Sequence, residues 1–162
     1  MNQEDIDKLP PELRKEFLKY AIKLSEKKTK AKVHDDFLSF VKHVWPGFIE
    51  GEHHKVIAEK FNRLARGEVK RLIINMPPRH TKSEFASFLL PAWMVGRKPD
   101  LKIIQSTHTT ELAIRFGRKA KHLMDSVEYK QVFSTRLRED SQAAGKWETE
   151  QGGEYYAAGV GS

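Results

Sequence analysis

The sequence predicts an α/β fold of three layers, helix, sheet and helix, with a parallel sheet and a helical segment before it. Two short apolar runs, residues 72–74 and 101–105, have the length and composition of strands buried on both faces. A helical pattern from about Lys82 separates them, with Phe85 and Leu89 at core spacing. Because two strands joined by a helix form a right-handed parallel unit, we expect both runs in one sheet.

The elements before this unit are predicted to be helices. Pro10-Pro11 opens a helix over residues 11–28, and its one narrow apolar stripe is enough to dock on the body or on a partner: Leu13, Phe17, Tyr20 and Leu24. The lysine-rich residues 27–32 are predicted to be a solvated linker, with a phosphate-contacting patch as the alternative. Asp35 or Asp36 is expected to cap a helix through Val44 that buries Phe37, Phe40 and Val41. A further helix runs from His53 to about Arg66, where Gly67 ends it.

The elements after the unit are predicted from their caps and turns. Residues 106–109 end the second strand, and either lie beside a ligand or cap the helix over residues 111–124. A short helix at 127–133 and a polar stretch at 134–145 follow. Residues 147–149 and 155–157, around Gln151-Gly152-Gly153, are typical of a hairpin, and residues 159–162 of a loop.

The turn after the first predicted strand has the features of a phosphate-binding loop. The chain there runs M-P-P-R-H-T-K-S, and Lys82-Ser83 stands at the start of the predicted helix, where main-chain N–H groups and the helix dipole favour an anion. In a P-loop the lysine reaches the β- and γ-phosphates and the serine hydroxyl binds Mg²⁺. Pro77 and Pro78 have no N–H, so a phosphate cradle must be built from residues 79–83. The sequence therefore predicts a P-loop NTPase-like fold with a nucleotide site and a bound Mg²⁺, and the resemblance described below implies that the nucleotide is ATP.

The loop departs from the general pattern G-x-x-x-x-G-K-[ST], because Met76 and Thr81 occupy the two glycine positions. A positive φ at Thr81 is costly for a β-branched residue. Either the loop avoids positive φ, or it stores strain of roughly 1–3 kcal/mol. An ordinary strand-to-helix turn with an exposed Lys-Ser pair is the alternative interpretation.

The segment L-I-I-N-M-P-P-R-H-T-K-S-E-F-A-S resembles the variant Walker A segment of phage terminase large subunits, the ATPases of DNA-packaging motors. The resemblance extends over about residues 35–162, through H-H-K-V-I-A-E-K upstream and I-I-Q-S-T-H-T, R-F-G-R-K and G-G-E-Y-Y-A-A-G-V-G downstream. It implies catalytic roles for Lys82 and Arg79 at the phosphates, with γ-phosphate sensing as an alternative for Arg79, and a Mg²⁺ ligand in Ser83. It implies base contacts for His54 and Phe48. The nucleotide-binding residues expected in the loop are Pro78, Arg79, His80, Thr81, Lys82 and Ser83.

The same resemblance implies the setting in which the protein works. Terminases package double-stranded DNA into procapsids in the host cell cytoplasm, as homo-oligomeric rings that act with a portal protein and a small terminase subunit. Neither predicted strand ends in an acidic pair. We therefore expect residues 34–162 to be a partial P-loop ATPase domain, truncated before Walker B and the nuclease domain, after a helical arm and basic linker at 1–33. Such a fragment should hydrolyse little ATP, and its open sheet edges should favour self-association.

Charge and composition narrow the class of partner. Lys and Arg number 29 and Asp and Glu 22, which gives a net charge of +7 and a pI near 9.5, and this favours a polyanionic partner. The helix at 111–124 carries a basic strip that is either a solvated face or a DNA contact: Arg115, Arg118, Lys119 and His122. The chain has no cysteine, so it has no disulfide or thiolate metal site, and no apolar run of membrane length.

Two other functions remain open on the sequence. One is a non-catalytic basic DNA-binding or assembly module whose phosphate loop is degenerate, as Thr81 and the missing glycines indicate. The other is a superfamily 2 helicase-like ATPase, which shares the loop and the Ser-Thr pair at the end of the second strand.

Overall fold

The structure is a computed structural model, and it describes residues 10–160 apart from the side chain of Gln142. The predicted arm at 1–9 and the last two residues of the predicted terminal loop lie outside the described residues. In chain order the elements are α1 Pro11–Asp35, α2 Phe37–Val44, α3 Glu52–Ala65, α4 Lys82–Glu84, a π-helical segment Phe85–Leu89, α5 Leu90–Arg97, β1 Lys102–Thr107, α6 Thr110–Asp125, α7 Val127–Val132, β2 Leu137–Ala143, β3 Lys146–Thr149 and β4 Glu154–Gly159.

The fold is mixed α/β, but its sheet is not the predicted parallel one. Four strands lie in the order β1-β4-β3-β2, and only β1 and β4 are parallel. The other two pairings are antiparallel. Since α6 packs on β1 and β4 while Ile104 and Tyr156 stay exposed, one face of the sheet is covered and the other is open. The expectation of a parallel sheet between two helical layers is therefore wrong for the described residues.

The first predicted strand does not join this sheet. Residues 71–77 are extended but belong to no strand, and Ile73 keeps 86% of its surface exposed. A strand is stable only when neighbouring strands satisfy its N–H and C=O groups. Among the described residues no strand pairs with this segment. The segment leads directly into the loop of residues 76–84.

The helices before the loop follow their predicted caps. The Asp36 carboxylate accepts a hydrogen bond from the Ser39 N–H at 2.8 Å and starts α2. Asn62 on α3 donates to the same carboxylate at 2.8 Å and accepts from the Phe37 N–H at 2.8 Å, so one side chain joins the two helices. The predicted stop at Gly67 has the expected positive φ of 78°.

An aromatic cluster fixes the helix that follows the loop. The Phe37 ring makes edge-to-face contacts with Phe61, Phe85 and Trp93, at centroid distances of 5.1, 5.4 and 5.4 Å. All four side chains are buried. Because Phe85 lies only three residues after Lys82, this packing sets the position of the loop relative to α2 and α3.

Pro91 interrupts the regular helix but does not end it. The π-helical segment lies immediately before it, and the Leu90 N–H donates to the Phe85 carbonyl, five residues back. A proline in an α-helix lacks a donor and clashes with the carbonyl four residues earlier. The wider π turn accommodates both effects, and the helix continues to Arg97.

The N-terminal arm is one helix up to Asp35, so the lysine-rich residues 27–32 are helical and not a linker. Near its end, Val33 is buried and the Trp93 indole donates to the His34 carbonyl at 3.1 Å. The predicted apolar stripe does not dock on the described body, because Leu13, Tyr20 and Leu24 are exposed. Docking of this stripe on a partner stays a prediction.

The predicted hairpin is confirmed and gains a third strand. Trp147 on β3 pairs with Tyr155 on β4, and their rings stack at a centroid distance of 4.7 Å. The preceding polar stretch, to which the sequence analysis assigns no element, forms β2 at the edge of the sheet, antiparallel to β3. The predicted Thr109 cap of α6 is also present, since its hydroxyl accepts from the Leu112 N–H at 3.3 Å.

Candidate functional site

The loop before α4 is concave and has an unusual backbone. Arg79 and Thr81 have φ values of 64° and 58°, whereas His80 between them and Lys82 after them do not have positive φ. Of the two sequence-based alternatives, the loop therefore takes the strained one. An alternation of right- and left-handed residues turns successive main-chain N–H groups toward one point, which is the geometry of an anion-binding nest.

Most main-chain donors of this loop have no acceptor within the protein. Among the described residues, no carbonyl or side chain takes a hydrogen bond from the N–H groups of residues 79 and 81–83, whereas the His80 N–H faces the Pro77 carbonyl across the turn at Pro78-Arg79. Residues 76–84 line a pocket of about 440 Å³. The helix that starts at Lys82 continues to Arg97, so its dipole adds positive potential at the pocket.

The side chains that the sequence singled out lie around this pocket. The Lys82 ammonium folds back across it to the Met76 carbonyl at 3.5 Å, and Ser83 is exposed at its edge. The Arg79 side chain is exposed and has no ion pair among the described residues. His80 is exposed, and its Nδ1 lies 2.9 Å from the Pro78 carbonyl. The structure thus brings all six predicted loop residues together.

The two residues predicted to contact the base lie behind the loop. The Phe48 ring lies 4.8 Å from the His54 ring and 5.6 Å from the Phe85 ring. His54 is only 5% exposed, and both of its ring nitrogens are hydrogen-bonded within the protein, to Gly51 and to Thr81. Base contact by either residue stays a prediction. The sequence does not predict the bond between His54 and Thr81, because these residues are 27 positions apart and belong to no common motif.

The basic strip on α6 is only partly free. Both carboxylate oxygens of Glu84 bind the Lys119 ammonium, at 2.9 and 3.0 Å, and this ammonium also lies 5.1 Å from the Phe88 ring centroid. Lys119 therefore connects α6 to the helix of the loop. Arg115 and Arg118 are exposed and have no ion pair among the described residues. They line an open cleft beside His108 and Thr109, and their contact with DNA stays a prediction.

The donor set of the loop fits a nucleotide-bound magnesium ion. Among residues 10–160, no group of three or more His, Cys, Asp or Glu side chains could hold a metal ion. Magnesium commonly keeps several waters and is held by substrate phosphates with one or two protein oxygens, so a single serine hydroxyl at the pocket edge suffices. The Ser83 hydroxyl fits this requirement, because it is exposed and makes no hydrogen bond within the described part of the chain.

Comparison with known proteins does not assign this chain to a family. No protein-family model, curated protein or solved structure matches this chain. Over residues 10–160, no helix is both long enough and apolar enough to cross a membrane.

Proposed function

We propose that this protein binds ATP and Mg²⁺ in the loop of residues 76–84, as the nucleotide-binding part of a phage terminase large subunit. That protein is the ATP-hydrolysing motor that packages double-stranded DNA into procapsids. The observation that carries the proposal is the set of main-chain N–H groups without an acceptor at residues 79 and 81–83, which belong to the lining of a pocket at a helix start. The resemblance of the surrounding sequence to terminases supports the identity of the motor.

In this proposal each polar group of the loop has one task. The main-chain N–H groups bind the β- and γ-phosphate oxygens, and their dipoles are already oriented before the ligand arrives. The Lys82 ammonium lies 3.5 Å from the Met76 carbonyl oxygen. It leaves this carbonyl and pairs with the phosphates, because a charged phosphate oxygen is a far stronger acceptor than a carbonyl oxygen. Ser83 supplies a hydroxyl ligand to Mg²⁺. Arg79 neutralises charge that develops on the γ-phosphate during transfer.

Titration with a fluorescent ATP analogue and Mg²⁺ tests nucleotide binding. We expect Lys82→Ala to weaken the affinity about 10- to 100-fold, because a charge-assisted hydrogen bond to phosphate contributes roughly 1.5–3 kcal/mol. Lys98→Ala is the matched control, since Lys98 is an exposed lysine at the other end of the same helix. Equal affinity of the two variants would refute the proposed site.

A non-catalytic DNA-binding module is the second candidate, and the cleft beside α6 favours it. Arg115 and Arg118 are exposed cations that line one cleft with His108, and Thr81 stands where a phosphate loop usually has glycine. If this candidate is correct, the protein binds duplex DNA with a salt dependence that Arg115→Ala and Arg118→Ala flatten, each by roughly one unit of log–log slope. Lys82→Ala would then change neither nucleotide nor DNA affinity.

A further inference from the structure

The Thr81 backbone has a conformation that its side chain disfavours. Its φ of 58° and ψ of 7° lie in the left-handed region, where a β-branched residue costs roughly 1–3 kcal/mol. Glycine adopts this conformation without steric cost. Such a conformation persists only where the surrounding structure holds it. The group that holds Thr81 must therefore lie among its own contacts.

The contacts of Thr81 form a hydrogen-bond chain with one direction. The Gly51 N–H donates to His54 Nδ1 at 2.9 Å, so this nitrogen carries no proton and the imidazole proton is on Nε2. His54 Nε2–H then donates to the Thr81 hydroxyl at 2.7 Å. The hydroxyl in turn donates its own proton to the His80 carbonyl at 2.7 Å. Each group in the chain has a partner, and only the neutral Nε2–H form of His54 satisfies all three bonds.

One hydrogen bond and two aromatic contacts hold the His54 ring in place. It occupies the third position of α3, where it accepts the Gly51 N–H as the third residue of a capping box does. The Phe48 ring lies 4.8 Å away and the Phe85 ring 5.0 Å away, both between centroids. Because Phe85 belongs to the helix that follows the loop, a shift of His54 relative to Thr81 would also disturb the buried packing of that helix.

We propose that His54 is a positioning residue that holds Thr81 in the left-handed conformation and so keeps the N–H groups of residues 79–83 directed at the triphosphate. His54 thereby replaces the glycine that a phosphate loop ordinarily has at position 81. This inference rests on the proposed nucleotide site for its purpose, but the hydrogen-bond chain itself is a property of the unliganded protein. In this role His54 acts through Thr81, and the role requires no contact between His54 and the nucleotide.

A double-mutant cycle separates this role from a general contribution to stability. His54→Asn keeps an acceptor for the Gly51 N–H but is too short to reach the Thr81 hydroxyl. In the natural background we expect this change to weaken ATP–Mg²⁺ affinity about 5- to 30-fold, which corresponds to a loss of roughly 1–2 kcal/mol. In a Thr81→Gly background the same change should weaken affinity less than about two-fold, because glycine no longer needs the bond.

His53→Asn is the matched control, since His53 is the neighbouring histidine of α3 and has no hydrogen bond to the loop among the described residues. Its ring packs against the rings of His54 and His80, at 3.8 and 5.7 Å between centroids, so the control keeps the local packing change and lacks only the loss of the bond to Thr81. We expect it to leave nucleotide affinity within about two-fold of the unsubstituted protein. Equal losses from His54→Asn in both backgrounds would overturn the positioning role, because a merely structural effect does not depend on residue 81.

Two measurements without nucleotide distinguish a failure of this inference from a failure of the proposed function. Long-range ¹H–¹⁵N correlation spectra report which ring nitrogen of His54 carries the proton, and we expect Nε2. Backbone ¹⁵N order parameters at residues 79–83 should fall in His54→Asn and not in His53→Asn, because the Thr81 backbone then lacks the bond that holds it. A proton on Nδ1, or unchanged order parameters in His54→Asn, overturns the hydrogen-bond chain. If both measurements give the expected result but the protein binds no nucleotide, the hydrogen-bond chain exists and the proposed nucleotide site is refuted.

Discussion

His54 is buried as a neutral imidazole, and its surroundings hold its pKa below the ordinary value of 6.5. Burial is the largest cause, because it disfavours the charged ring. The neighbouring His53 and His80 lower the pKa further, while the Glu50 carboxylate opposes them. Protonation would also place a hydrogen on Nδ1, where it would face the Gly51 N–H donor. The charged form therefore conflicts with the folded structure in two ways.

A pH dependence of stability follows from this shift. The folded protein binds a proton at His54 less readily than the unfolded chain does, so stability is complete above about pH 6.5 and falls as the pH drops toward the folded pKa. Between about pH 7.5 and 5.5 we expect the Tm of the unsubstituted protein to fall more than that of His54→Asn. Comparing the two proteins removes the contribution of the other histidines. Parallel Tm curves would contradict the assignment.

Two buried tyrosines, Tyr129 and Tyr155, differ in whether the hydroxyl has a hydrogen-bond partner. Tyr129 donates to the Ala92 carbonyl at 2.9 Å, whereas the Tyr155 hydroxyl has no hydrogen-bond partner in the structure. Burial raises the pKa of both phenols, so both stay neutral. We expect Tyr155→Phe to raise the free energy of unfolding by about 1 kcal/mol, because an unsatisfied buried hydroxyl is removed.

Tyr129→Phe is the control for that prediction. It removes the donor to a buried carbonyl, so we expect a loss of about 1 kcal/mol in the free energy of unfolding. Urea denaturation of both variants measures the difference, with unchanged m-values as the check that the unfolding reaction is the same. Destabilisation of equal size in both variants would show that the Tyr155 hydroxyl has a partner in solution.

Among the helices, α2 depends most clearly on one side chain. Burial disfavours the charged Asp36 carboxylate, but hydrogen bonds from Ser39 and Asn62 outweigh it and keep its pKa below the ordinary range. We expect Asp36→Ala to lower the free energy of unfolding by about 1–2 kcal/mol, because it removes the cap of α2 and its link to α3. Asp35→Ala, at the exposed neighbouring position, should cost less than about 0.5 kcal/mol. Chemical denaturation at neutral pH measures both variants.

The helices could be predicted from sequence because their ends are set by neighbouring residues. Asp36 and Thr109 each bind an N–H three residues ahead, and Gly67 supplies a positive φ at the end of α3. These signals act within one helical turn, so a local pattern is sufficient to find them. The π-helical segment before Pro91 has no such local signal, and the helical pattern from Lys82 does not predict it.

The strands were predicted less well because their partners are distant in sequence. Residues 72–74 have a typical strand composition but no partner among the described residues, so they remain extended without joining the sheet. Conversely, β2 is polar and reads as a loop, yet pairing with β3 makes it a strand. Strand formation depends on such pairing and burial more than on intrinsic preference.

A concave loop lies where the sequence predicts one, but the sequence does not indicate what supports this loop. The sequence placed the cradle at residues 79–83 and identified a strained Thr81 as one of two possibilities. The hydrogen bond from His54 joins α3 to the loop before α4 through tertiary packing, so no local spacing in the sequence predicts it. A β-branched residue at a glycine position is the available signal, because it implies that another group must hold the backbone.

At the scale of the whole molecule, the sheet is covered on one face only. Ile103 and Tyr155 point toward α6, while their neighbours Ile104 and Tyr156 pair with each other on the opposite face. Ile104 is 77% exposed and Tyr156 49% exposed. Ile73, in the extended segment before the loop, is also exposed. Neighbouring apolar side chains on an uncovered sheet face favour association with another surface.

We therefore expect this protein to self-associate through the open face of the sheet. Sedimentation velocity should show a weight-average coefficient that rises with concentration, and the double variant Ile104→Thr/Tyr156→Thr should remain a monomer, because threonine keeps strand propensity while removing apolar surface. Ile103→Thr is the control. Its side chain is half-buried on the covered face, so it should lower stability without preventing association. A protein that stays monomeric at all concentrations and melts sharply and reversibly would show that the open face is tolerated in water.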